Sequence, residues 1–248
     1  MATTAEEIKQ MAARTGATRE YFTIADFKEV AGALPDLRLE LINGEIVINP
    51  AYGRDYFTIE EFKVVADALP DYRLELIDGE LVMTKPDKRH QKHNRRITTL
   101  LGLHAAEIVA IGCEPDGGSA FYEIPEELSR QLANELGGKP SDVCPDASVT
   151  YRDYPEVTRR PPALLVIEIL SDSNSENIKR DLKTKVRIYA ALEIPAYWIV
   201  DRRDESVLVY SRPQNGQYAT PEKFQGDQIL PAPGLEFLRI TPAQIFAE

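Results

Sequence analysis

Apolar residues recur along this chain in two periods, and an element ends where the period changes. Residues 21–48, YFTIADFKEVAGALPDLRLELINGEIVI, open with apolar positions at helical spacing behind Thr23, break at Leu34-Pro35-Asp36, and continue as two short runs joined by Asn43-Gly44. That order predicts a short capped amphipathic helix and then a strand pair with a tight turn. Residues 56–83, YFTIEEFKVVADALPDYRLELIDGELVM, repeat it at an offset of 35, with Thr58 as the cap and Asp78-Gly79 in the turn. Twenty of the 28 paired positions are identical, which makes this a tandem duplication. Two copies do not build a solenoid, which needs about three units to bury a continuous core. The second copy runs straight into the rest of the chain, so residues 1–53, with the first copy, are the expected extension of a domain over 54–248. The extension either docks on an edge of its own sheet or pairs with another subunit; self-association is the expected use.

Beyond the repeat, Ile97, Leu100, Leu101, Ala105 and Ile108 mark a helix over about residues 91–111, with His104 on the same stripe as a packed core histidine. A strand is expected at 119–124 and a short helical insert near 126–136. A further strand is expected at 143–151. Residues 163–170, ALLVIEIL, read as a strand buried on both faces. A helix near 176–192 and strands at 196–201 and 206–211 complete the order. Helices and strands interleave, which predicts an α/β domain around a mixed sheet.

Composition narrows this picture. At 248 residues, 43% hydrophobic and 28% charged, the chain can bury one substantial core and a small appendage. No apolar run approaches the ~20 residues that span a bilayer, and MATTAEEIKQ has neither the basic start nor the apolar middle of a secretion signal. A soluble, cytoplasmic protein without a membrane partner is expected. Cys113 and Cys144 have neither zinc-cage nor disulfide-framework spacing. A net charge of −11 argues against broad attraction to nucleic acid. The local exception is KPDKRHQKHNRR at 85–96, with six Lys or Arg and one acid, which is either a solvated helix start or a basic contact surface.

Glu168 is the one charged group within ALLVIEIL. Burying an unpaired carboxylate costs several kcal/mol unless donors, a cation or protonation relieve it, so this residue needs a partner. Strand alternation sets Asp146, in VCPDASVTY, on the side of Ser148 and Thr150, and Glu168 on the side of Val166 and Leu164. If the two strands are neighbours, the acids meet near a strand end. An oxygen-preferring divalent ion such as Mg²⁺ would remove their repulsion, and phosphodiester hydrolysis needs such an ion. On the following helix, Ile178, Leu182, Val186 and Tyr189 form the apolar stripe, with Lys185 at its edge facing the sheet and Asp181 four residues earlier as its expected pair. His90 and His93 could share a zinc ion, but no third ligand stands in sequence range. Tyr197 and Trp198 read as core rather than as a base-stacking platform.

RLELIDGELVM (73–83), His90, PDASV (145–149), VIEILSDS (166–173), KRDLKTKVRIYA (179–190) and IPAYWIVD (194–201) together resemble the Uma-type restriction-endonuclease-like family, a branch of the PD-(D/E)XK nuclease superfamily. The resemblance covers about residues 56–248. It implies a restriction-endonuclease-like mixed β-sheet flanked by helices, Mg²⁺ dependence with Mn²⁺ as a substitute, DNA as substrate, and a homodimer. It assigns Asp146 and Glu168 as metal-holding catalytic acids, Lys185 as a lysine displaced onto the helix, and Glu75 as a supporting acid with Glu80 as its rival. The first copy carries Glu40 and Glu45 at the matching places but has no second Asp, Glu and Lys behind it. His90 is expected near the scissile phosphate or as a helix cap, with Lys88, Arg89 and Lys92 on the nucleic acid. Leu170 breaks the usual E-x-K, and Asp172 stands as an additional ligand or a helix cap. The competing reading is a nucleic-acid- or protein-binding module that keeps the fold without cutting.

Overall fold

The computed structural model describes residues 21–84, 88–124, 126–131, 138–152, 162–170 and 181–247. The chain forms two compact units, one of residues 1–85 and 123–143, the other of 86–122 and 144–248. Residues 54–85, expected with the C-terminal domain, therefore cluster with the first unit.

In the first unit, α1 (Ile24–Ala33) is followed by the hairpin β1 (Leu39–Ile42) and β2 (Glu45–Ile48), and α2 (Ile59–Ala68) by the hairpin β3 (Arg73–Ile77) and β4 (Glu80–Thr84). Thr23 and Thr58 each close a capping box, with Asp26 and Glu61 as the reciprocal acids. Both hairpin turns have two residues at positive φ, Asn43 and Gly44 in one and Asp78 and Gly79 in the other. That conformation matches the twist of a tight hairpin and explains the Asn-Gly and Asp-Gly pairs. Tyr21 and Tyr56 lie so close against Gly44 and Gly79 that neither position has room for a Cβ.

After α5 (Glu126–Gln131), the strand β7 (Ser141–Val143) joins β3 through Leu76 and Asp142, giving a four-stranded sheet in the order β4-β3-β7-β6, with β6 at Tyr122–Ile124. The β1–β2 pair is a sheet of its own rather than an addition to the edge of that sheet. Its apolar side enters a core shared by both helix–hairpins, with Phe22, Val30, Phe57, Phe62 and Val65 buried together.

The second unit begins with α3 (Lys88–Gly102) and α4 (Ala105–Ala110). The single helix expected over 91–111 is thus two. Gly102 ends the first, and His104 sits at the half-exposed N-terminus of the second instead of in the core. The sheet runs β12-β11-β10-β9-β8-β5, built from β5 (Cys113–Asp116), β8 (Ala147–Tyr151), β9 (Ala163–Ile169), β10 (Ala196–Asp201), β11 (Ser206–Ser211) and β12 (Glu222–Gln225). Only β9 and β10 run parallel. This central pair is the most apolar sequence in the chain, as strands covered on both faces require. The strand expected over 143–151 is interrupted at 144–146, where Pro145 has no N–H to give a ladder.

One face of the sheet packs Ile167, Val149 and Trp198 against Ile97, Leu101 and Ile108 of the α3–α4 pair. The helix expected over 176–192 is described from Asp181 onward, as a π turn (Asp181–Lys185) running into α6 (Val186–Ala191). Tyr189 of α6 stacks edge-on against Tyr197 of β10, with ring centroids 4.8 Å apart. Trp198 is fully buried and donates to the Pro231 carbonyl at 2.8 Å, so the aromatic pair of this strand is core. The chain closes with α7 (Pro242–Phe246). No helix among the described residues is long and apolar enough to cross a membrane.

Candidate active site

Glu168 lies near the C-terminal end of β9, the strand flanked by β8 and β10. The β8–β9 ladder is antiparallel and pairs Ala147 with Ile167. One step outward on each strand, Asp146 therefore stands opposite Glu168, and residues opposed in this way present their side chains on the same face. A hydrogen bond fixes the approach: Ile169 N donates to Asp146 Oδ2 at 2.8 Å. Both acids are buried.

Each carboxylate is gripped by named donors. Lys185 Nζ lies 2.9 Å from Glu168 Oε1, and Tyr189 OH donates to the same oxygen at 2.7 Å. Four residues apart, Lys185 and Tyr189 share a helix face, so one element delivers both groups. Lys185 is buried like its partner, so each group of the pair lies where it can compensate the other. Asp181, expected as the partner of Lys185, has its side chain outside the described residues, as do Asp172 and its neighbours Ser171 and Ser173.

On the other carboxylate, His90 Nε2 lies 2.9 Å from Asp146 Oδ2. His90 sits in the first turn of α3 and is buried against the site rather than projecting with the basic residues around it. His93, one turn on, faces elsewhere: its Nδ1 is 3.5 Å from the Ile245 carbonyl and its ring packs edge-on against Phe246. Burial pushes its pKa below the ordinary histidine value. The two rings do not share a focus, and no group of three or more His, Cys, Asp and Glu side chains fit for a metal occurs among the described residues. Lys88, Arg89 and Lys92 are exposed on α3.

Glu75 is buried within β3 of the first unit, whereas its rival Glu80 is exposed. Asp142 of β7 pairs with Leu76, the residue after Glu75 in β3. Asp142 is buried, and its Oδ1 accepts no hydrogen bond. Its burial, with the charges of Glu123 and Glu75 adding to it and Lys63 opposing, raises its pKa to about 7.

Sequence reasoning put Asp146, Glu168 and Lys185 in one place, and the second unit brings them together with His90. It passed over Tyr189 as a stripe residue, although the spacing of four from Lys185 was the available signal. Asp142 was not singled out at all, because the three-residue strand that carries it has no legible period.

The Uma2 family model, described as "Putative restriction endonuclease", matches residues 59–243. This chain belongs to the Uma2 family. The Uma2 match takes in both acids, the lysine, His90 and Glu75, and begins after the first helix–hairpin. No curated protein matches the chain. Among solved structures, the chain is similar to a protein described as a putative nuclease belonging to DUF820 from Anabaena variabilis ATCC 29413, at 18% identity and a TM-score of 0.53. That similarity covers 77% of this chain and 98% of the other, and it shows a shared fold.

Proposed function

We propose that this Uma2 member is a divalent-metal-dependent endonuclease that hydrolyses DNA phosphodiester bonds at the β8–β9 end. The observation that carries this reading is the opposition of Asp146 and Glu168 across neighbouring strands, tied by the Ile169 N–H bond to Asp146. The donor set suits Mg²⁺, which takes oxygen ligands and typically uses one or two protein carboxylates while keeping several waters. Among the described residues, Asp146 and Glu168 are the two carboxylates opposed here, and Mn²⁺ accepts the same donors. When bound, the ion supplies Lewis acidity at a phosphoryl oxygen and hydroxide near neutral pH.

The chain's own residues do the remaining work. Asp146 and Glu168 hold the ion, and His90 and Ile169 N keep the Asp146 carboxylate turned to one orientation. Lys185 orients the attacking water and offsets negative charge gathering on the phosphoryl oxygens, a role open to an ammonium held 2.9 Å from Glu168. Tyr189 steadies Glu168. Lys88, Arg89 and Lys92 contact phosphates of the DNA backbone. The test is incubation of pure protein with plasmid and Mg²⁺ or Mn²⁺, beside Asp146→Ala. Cleavage by the parent alone supports the reading; no cleavage of any DNA form, or equal cleavage by the variant, refutes it.

A second reading, a binding module that has kept the fold without cutting, is favoured by Leu170 standing where E-x-K has its lysine. Calorimetry separates the two. Uptake of Mn²⁺ that is lost in Glu168→Ala supports the enzyme, whereas DNA binding indifferent to metal supports the module.

A further inference from the structure

The first unit holds two segments of nearly the same sequence, and they meet through the same parts of themselves. Helix α1 packs on α2, and β2 packs on β4. Within their shared core, every apolar residue supplied by 21–48 is accompanied by its counterpart 35 positions later: Phe22 with Phe57, Val30 with Val65, Ile46 with Leu81, and so on through the cluster. A contact in which residue i meets j while the equivalent of j meets the equivalent of i is the signature of a two-fold, self-complementary surface. Such a surface fits another copy of itself by construction.

Two pairs of equivalent positions differ between the segments. Ile59 and Ile77 are 8% and 4% exposed, while their counterparts Ile24 and Ile42 are 63% and 48% exposed. Around the second segment, β6, α5 and β7 supply the companions: β7 pairs with β3, Tyr56 OH donates to Glu126 Oε1 at 2.8 Å, and Lys63 reaches Glu123 at 2.8 Å. The first segment keeps Tyr21 and Lys28 at the matching positions and leaves its two isoleucines in solvent. Among the described residues, β7 and β6 extend the sheet of the second hairpin, while the first hairpin forms a two-stranded sheet.

We infer that the surface of α2 and the β3–β4 hairpin is a self-association surface of this chain, and that residues 21–48 occupy it as an intramolecular stand-in for the second segment of another copy. The partner that fits is residues 56–83 of a second chain, arriving with β7 paired to its own β3. In the intact chain the stand-in closes the surface, so association through it is held off until the first segment is displaced. This inference goes beyond the nuclease proposal and does not depend on it, since its readout is mass in solution.

Val30 and Val65 are equivalent and both fully buried in the shared core. An aspartate at position 30 of the full-length chain expels the stand-in and uncovers the surface. At position 65 it spoils the surface itself. Light scattering over a range of concentrations, with circular dichroism to verify folding, should find Val30→Asp at twice the wild-type mass, Val65→Asp at the wild-type mass, and the double variant returned to the wild-type mass. A folded Val30→Asp that keeps the wild-type mass, or a folded double variant that still doubles, overturns the inference. So does loss of the whole fold in Val30→Asp, because the first segment would then be an integral part of the core rather than a stand-in.

Discussion

Two buried strand carboxylates, one in each unit, have been accommodated in opposite ways. Glu168 in β9 meets an ammonium and a phenol on one oxygen, so its charge is matched where it sits. Asp142 in β7 has an oxygen that accepts nothing, two acids near it and a single lysine opposing them, and it holds its proton up to about pH 7. Burial alone therefore does not mark a reactive acid. The donors brought to it decide whether the charge or the proton survives folding. A buried acid that holds its proton is a strain on the fold that grows with pH.

The largest effect should come from changing both acids to their amides in one assay. Glu168→Gln should lower plasmid cleavage by about 10³-fold or more, since a ligand charge is removed. Asp142→Asn should leave cleavage within about tenfold of the parent; equal losses would erase the contrast. Next, Lys185→Met leaves the Glu168 carboxylate without its buried counter-charge, and urea unfolding should show a loss of about 3–5 kcal/mol.

Third comes the pH dependence of stability. The folded pKa of Asp142 is raised, so between about pH 4 and 7 the unfolded chain releases a proton that the folded chain retains. Its contribution is nil below the unfolded value, becomes a penalty as pH rises, and is complete above about 7, at up to about 1.4 kcal/mol per pH step. Asp142→Asn should flatten that decline in urea midpoints measured from pH 4 to 8, and an unchanged profile would mean the carboxyl ionises freely. Smallest is Tyr189→Phe, expected to cost about 1.5–3 kcal/mol through the loss of one donor to a charged oxygen.

What could be read from the sequence had short-range causes. The edges of β10 and β11 fall where the apolar pattern set them, and Thr caps and Asx-Gly turns announced both helix–hairpins because capping and positive φ are written in adjacent residues. Alternation sufficed to bring Asp146 and Glu168 to one face. The edge strand β5, CEPD, escaped notice because Pro115 and two acids are tolerated only where one side of a strand is unpaired. His90 and Asp146 meet across 56 residues of chain, and no periodicity reports a contact at that distance. Asp142 is buried by its neighbours in the sheet rather than by its own strand, which explains why its raised pKa had no local signal.

The central claim is that Asp146 and Glu168 grip one divalent cation. A crystal of the intact chain soaked in Mn²⁺ tests it directly. An anomalous peak is expected between the two carboxylates, within ligand distance of both. A peak elsewhere, or none at this site under conditions where the ion is abundant, would contradict it.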